Sequence, residues 1–297
     1  MSMIRLEKSR AMKECEKSRI PWVVVNAIVF VAIFICFQRV GPMLIQPFVP
    51  MLLRGKDEAG VYVTLTVLTN MMFLVLTILT MLYCLFIQKR SIASMGFYGS
   101  MGMSALVGIG TGLGLVVLVA GIQIALGAGL FAWSGTLPVF AGILFFLTTF
   151  IQSSGEEILC RGYFMNSLGG RHSCVFAVVV NAVVFGAVHL FNEGITPLAF
   201  INVTVAGIFF SVVAVRYNLW VSCWIHAMWN FSEGFIFGSS ISGNEAMMSV
   251  FSVTPTNRPA WLTGGEFGIE GSIVVTIVYI IGIALVLLMP QFSRDRE

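Results

Sequence analysis

Long apolar runs separated by short polar breaks fill most of this chain. Eight of them approach or exceed the length a helix needs to cross a bilayer, about 20 residues. They fall at residues 21–38, 59–87, 104–132, 137–160, 173–191, 197–215, 218–238 and 272–290. The pattern predicts an all-α polytopic membrane bundle of about eight transmembrane helices. The second and third runs are long enough to tilt or to project beyond the lipid. Asn192–Pro197 (NEGITP) and Arg216-Tyr217-Asn218 read as turns. The stretch 41–53, GPMLIQPFVPMLL, holds three prolines and is expected to be a short interfacial or re-entrant piece. No internal repeat divides the chain. Its expected organisation is a cytoplasmic segment at 1–20, N-terminal spans over 21–132, a core over 137–290 and a cytoplasmic tail at 291–297.

Composition agrees with the pattern. Of 297 residues, 58% are hydrophobic and 10% charged, against about 25% charged in soluble domains. The net charge of +3 is too small to point to nucleic acid. The N-terminal basic segment has no clear small-residue cleavage site, so 21–38 reads as a retained span rather than a secretory signal. Cys15, Cys36, Cys84, Cys160, Cys174 and Cys223 are scattered with no CxxC pair, which fits neither a disulfide framework nor a zinc ribbon.

The placement of charge sets an expected orientation. Six Lys/Arg lie in residues 1–20, and Lys89, Arg90, Arg161, Arg171, Arg216, Arg294 and Arg296 fall on the same side if the N-terminus is inside. Arg39, Arg54, Lys56 and Arg258 fall opposite. Positive charge is retained in the cytoplasm, so both termini are expected there, in a cell-membrane protein.

Against this background, SSGEEILCRGY (153–163) stands out, because ionisable groups at membrane depth usually serve a function. Glu157 and Arg161 are one helical turn apart and suit an ion pair, while Glu156 points about 100° away. The other reading is that both acids only mark the end of a span. The run 173–191 contributes His189, with Phe185 one turn earlier, and the run 218–238 contributes His226 and Asn230 on one face. Taken alone, His189 is more often a satisfied core group, and His226 and Asn230 could be helix–helix hydrogen-bonding groups. Together, a carboxylate, two imidazoles and an amide suit activation of water for amide hydrolysis. The same Glu156, His189 and His226 could hold zinc, although the HExxH spacing is absent. A thiol nucleophile, Cys160 or Cys223, is a minor alternative, since cysteines in apolar spans are usually inert. His172, in the GGRHS loop, reads as an ordinary loop residue.

EEILCR matches an EExxxR motif, FGAVH an FxxxH motif and HAMWN an HxxxN motif, in that order on three separate runs. Together they resemble the CPBP family of intramembrane proteases, the CAAX prenyl proteases and bacteriocin-processing enzymes, over about residues 137–290. The resemblance implies an eight-helix fold with a cavity open to cytoplasm and membrane. It implies that Glu156 activates water, that Glu157 and Arg161 support it as a pair, and that His189, His226 and Asn230 bind the water and oxyanion, with Phe185 packed beneath His189. It implies no required cofactor, with zinc the alternative, and a membrane-associated or lipidated protein or peptide as substrate. A non-catalytic immunity or scaffold protein on the same fold is the rival reading, and a proton-coupled transporter follows, although no paired halves are evident. The stretch 239–271 is expected opposite the site and therefore away from substrate selection.

Overall fold

The computed structural model describes residues 6–19 and 21–289. All eight apolar runs contain helix. In chain order the helices are α1 (Arg10–Cys15), α2 (Val23–Ile45), α3 (Val49–Leu53), α4 (Glu58–Leu82), α5 (Met101–Ala125), α6 (Val139–Glu157), α7 (Asn166–Arg171), α8 (Cys174–Val188), α9 (Pro197–Arg216), α10 (Leu219–Phe231), α11 (Ala260–Thr263) and α12 (Ile273–Leu288). Among the described residues, five helical segments are long and apolar enough to cross a membrane: Val23–Leu53, Glu58–Ile87, Met101–Ala125, Val139–Arg171 and Pro197–Arg216. α8 and α12 are apolar but shorter. Local chemistry sets several starts. The side chains of Ser9, Asp57, Ser100, Ser173, Thr196 and Asn218 each accept a hydrogen bond from a first-turn N–H, satisfying one of the donors a helix leaves free.

Two expectations need correction. The third run does not stay helical to 132. α5 stops at Ala125, Gly127 takes φ +68°, and Gly129–Trp133 forms a strand, β1, antiparallel to β2 (Phe251–Pro255). Glycine readily ends helices in this left-handed conformation, and a Cβ at Gly129 would press on Val253 at 2.8 Å. The bundle is therefore mostly, but not purely, helical. The stretch 41–53 is not a re-entrant piece either. It continues α2 past Pro42, through a 3₁₀ turn at Gln46–Phe48, into α3. Pro47 and Pro50 sit in first turns, where a missing N–H removes no ladder bond. The proposed tail 291–297, with Arg294 and Arg296, lies outside the described residues, as do residues 1–5 and 20 of the N-terminal segment.

α10 is the pillar of the bundle. It packs against α5 and α6 and also meets α9, while α8 lies on α9, α9 on α12, and α4 on α6. The α5–α10 contact is backbone-close. A Cβ on Gly108 would collide with Trp224, and one on Gly112 would stand 2.6 Å from the Ile225 carbonyl. Small residues four apart permit this approach in membrane helices. Beyond α6 the chain widens into a π-helical stretch, Ile158–Met165. Its Gly162 and Tyr163 carbonyls accept from the buried guanidinium of Arg90 at 2.7 and 3.2 Å. Arg90, counted from sequence among the cytoplasmic-side charges, is thus an internal strut that ties the chain after α4 to the π-helical stretch beyond α6.

Gly112→Val is expected to push α10 off α5 and destabilise the protein by about 1–3 kcal/mol, the range for overpacking. Thermal unfolding in detergent checks this, and an unchanged Tm would contradict it.

Candidate active site

The end of α6 and the π-helical stretch after it carry both acids and Arg161. Such local widening often accompanies functional sites. Glu157 and Arg161 have fully buried side chains and bridge at 2.7 Å, as their spacing predicts. A buried pair is stable only when its remaining polar atoms also find partners. Here Glu157 Oε2 accepts from Ser222 Oγ at 2.6 Å, and Oε1 accepts from His226 Nδ1 at 3.0 Å. Arg161 Nη2 donates to the Gly207 carbonyl at 3.2 Å, and the guanidinium lies 4.2 Å from the Phe185 ring centre. Arg161 Nε has no hydrogen-bond partner.

Glu156 faces the other way, into a cavity of about 620 Å³ that His189, His226, Asn230 and Phe185 also line. Its side chain is 19% exposed, against 0% for Glu157. One carboxylate is reachable and its neighbour is sealed. Gln152, one turn earlier, donates to Glu156 Oε1 at 2.5 Å. Gln152 Oε1 in turn accepts from Asn230 Nδ2 at 3.1 Å and Ser153 Oγ at 3.0 Å. Asn230 Nδ2 also donates to Ser153 Oγ at 3.3 Å. Its amide donors therefore hold the Gln152 side chain, which aims Glu156.

The two histidines are fixed through Nδ1. His226 Nδ1 is held by Glu157, its ring stacks on Phe210 at 4.7 Å, and Nε2 stands 3.8 Å from Glu156 Oε2. That separation exceeds a direct hydrogen bond. His189, at the C-cap of α8, has Nδ1 at 2.7 Å from the Phe185 carbonyl. A carbonyl only accepts, so Nδ1 carries the proton and Nε2 is left for the cavity.

The structure brings all four expected catalytic side chains to one cavity, with Phe185 between His189 and Arg161 and the Glu157–Arg161 pair behind. Among the described residues, no three His, Cys, Asp or Glu side chains converge closely enough to hold a metal ion, so the Glu156, His189 and His226 set does not close around zinc in this arrangement. Cys223 is fully buried off the cavity, and Cys160 contributes only to its wall. His172 packs on Phe176 and does not line the cavity. Sequence reasoning missed Gln152, Ser222 and Phe210. The first two carry a legible signal, since Gln152 precedes Glu156 and Ser222 precedes His226 by one turn. Phe210 carries none. The expectation for 239–271 is also corrected: Ser242, Glu245, Met248 and Glu270 line the same cavity as Glu156, because the cavity extends along α10 toward these loops.

Residues 138–232, which run from the start of α6 through α10 and hold all three motifs, match the family described as type II CAAX prenyl endopeptidase Rce1-like. The match bears out the resemblance carried by the motifs, and that family is one of peptidases. The apolar helices and this match together indicate an integral membrane protein. No curated protein and no solved structure matches the chain.

Arg161→Ala strands a buried carboxylate and is expected to destabilise the protein by about 3–5 kcal/mol. The measurement is thermal unfolding of the purified variant beside wild type. A Tm equal to wild type would contradict the role given to the pair.

Proposed function

We propose that this protein is an intramembrane endopeptidase that hydrolyses a peptide bond of a membrane-associated or lipidated protein or peptide, using a water molecule activated by Glu156. The observation that carries this reading is the arrangement around His226, which stands between a sealed, ion-paired carboxylate and an open one facing a cavity. Glu156 Oε2, free of Gln152, takes a proton from water, and the hydroxide adds to the scissile carbonyl carbon. The oxyanion that forms accepts a hydrogen bond from Nε2–H of His226, whose ring is held by Glu157 through Nδ1. His189 Nε2 holds the attacking water as an acceptor. Glu156 then returns its proton to the departing nitrogen as the C–N bond breaks, which leaves a carboxylic acid and an amine. Asn230 and Gln152 act as positioning residues for Glu156. No step runs through a metal ion.

The flank of the cavity formed by α2 and α4 carries Phe34, Phe37, Leu65 and Phe73, interspersed with polar groups such as Thr69 and Asn70. It suits a hydrophobic segment or a lipid chain entering from the bilayer. In this reading the protein sits in the cell membrane with both termini cytoplasmic.

The test compares new peptide termini in cells that express wild type or Glu156→Gln at matched abundance, followed by cleavage of the identified substrate with purified protein. Glu156→Gln is expected to lower the cleavage rate at least 100-fold, on the order of a lost general base, with no fall in Tm. Equal cleavage by the two proteins would refute the reading. A phenotype that needs the protein but not the carboxylate would favour a scaffold.

A further inference from the structure

The cavity continues past the catalytic groups to Glu270, behind which Glu233 is sealed from it. Trp229, between His226 and Asn230 on α10, donates its indole N–H to Glu233 Oε2 at 3.0 Å and to Glu270 Oε1 at 2.8 Å. Two carboxylates thus share one neutral donor. Glu270 is further fixed by the backbone N–H and hydroxyl of Ser242, which donate to Oε2 at 2.9 and 2.6 Å. The loops that carry these groups are locked together. Gly243 N–H donates to the Phe267 carbonyl at 3.1 Å and Ile269 N–H to Ser239 Oγ at 3.0 Å. Gly268, at φ +93°, lets its backbone close against Ser240.

Two further observations point to a missing ligand. The Tyr279 hydroxyl, on a side chain from α12 that is 2% exposed and lines the cavity, has no hydrogen-bond partner. Among the described residues, neither Glu233 nor Glu270 has an ion-pair partner, and no Lys or Arg lines the cavity, whose charged lining groups are Glu156, Glu245 and Glu270. Buried polar atoms are almost always satisfied, and negative charge in a low-dielectric site calls for a cation. A side chain that brings both positive charge and several N–H donors meets the needs of Glu270 and of the Tyr279 hydroxyl.

We propose that Glu270, with Tyr279 beside Trp229, forms a specificity subsite for a lysine or arginine side chain of the substrate. Glu233, which shares the Trp229 indole N–H with Glu270, lies seven residues beyond His226 and so marks the level of Glu270, about 10 Å along the helix axis. That is the span of about three residues of extended peptide, so the basic residue lies within about three positions of the scissile bond. The inference rests on the peptidase reading for what occupies the cavity, and its test is separable from that reading.

Binding is measured on Glu156→Gln protein in lipid nanodiscs, where no turnover occurs. The probes are fluorescein-labelled octapeptides randomised over apolar residues. One set carries a central arginine, and the other carries citrulline, its uncharged isostere. The arginine set is expected to bind at least about tenfold more tightly. Adding Glu270→Gln is expected to abolish the difference, and adding Tyr279→Phe, which keeps the ring packed on Trp229, to narrow it. Equal binding of the two sets overturns the proposal, as does a preference that survives Glu270→Gln in a protein of unchanged Tm. Should Glu270→Gln fail to fold, an arginine preference narrowed by Tyr279→Phe supports the subsite, and one untouched by it overturns the subsite. An intact preference in a protein whose wild type cleaves nothing would support the subsite while removing the peptidase reading.

Discussion

The Glu157 carboxylate is the point through which four helices are tied together. It lies fully buried at the end of α6, where an unpartnered charge would be severely destabilising. Its partners come from different parts of the chain: Arg161 from the π-helical continuation of α6, and Ser222 and His226 from α10. Arg161 extends the set to the Gly207 carbonyl on α9 and the Phe185 ring on α8. Because each of these groups meets the same few atoms, the helices cannot slide independently. The histidine that faces the cavity is oriented as a by-product of satisfying this one charge.

That constraint explains why two adjacent glutamates serve different ends. Successive residues on a helix diverge by about 100°, so fixing Glu157 inward turns Glu156 toward the cavity without any further device. The open carboxylate is then held by a light relay, Asn230 to Gln152 to Glu156, whose donors are neutral amides. Neutral donors orient a carboxylate while leaving one of its oxygens free for a proton. The close α5–α10 packing at Gly108 and Gly112 and the Arg90 strut keep the two helices bearing these groups in place.

Much of this was legible in the sequence, and the rest was hidden for physical reasons. Helix positions followed from apolar runs, and the Glu157–Arg161 pair from i,i+4 spacing. Glu156, His189, His226 and Asn230 stood out because polar residues within apolar runs are conspicuous. Gln152 and Ser222 escaped notice although each stands one turn before a site residue, because ordinary polar residues on a helix do not stand out as ionisable ones do. Phe210 looks like any core aromatic until it is found stacked on His226. The apolar run 104–132 concealed a strand because its residues are as apolar as those of a membrane helix although most are exposed, and only the glycines at 127 and 129 marked the break. The stretch 239–271 was misplaced because topology locates a loop's ends, not how far a cavity reaches toward it.

The measurement that bears most directly on the division of labour between the two glutamates is the thermal unfolding of Glu156→Gln and Glu157→Gln, side by side in one detergent. Glu157→Gln should lose several kcal/mol of stability because Arg161 is left buried without its counter-charge. Glu156→Gln should unfold at or above the wild-type Tm, since it removes a charge that the fold does not use. Equal losses in the two variants, or a larger loss in Glu156→Gln, would contradict the assignment of one carboxylate to structure and the other to chemistry.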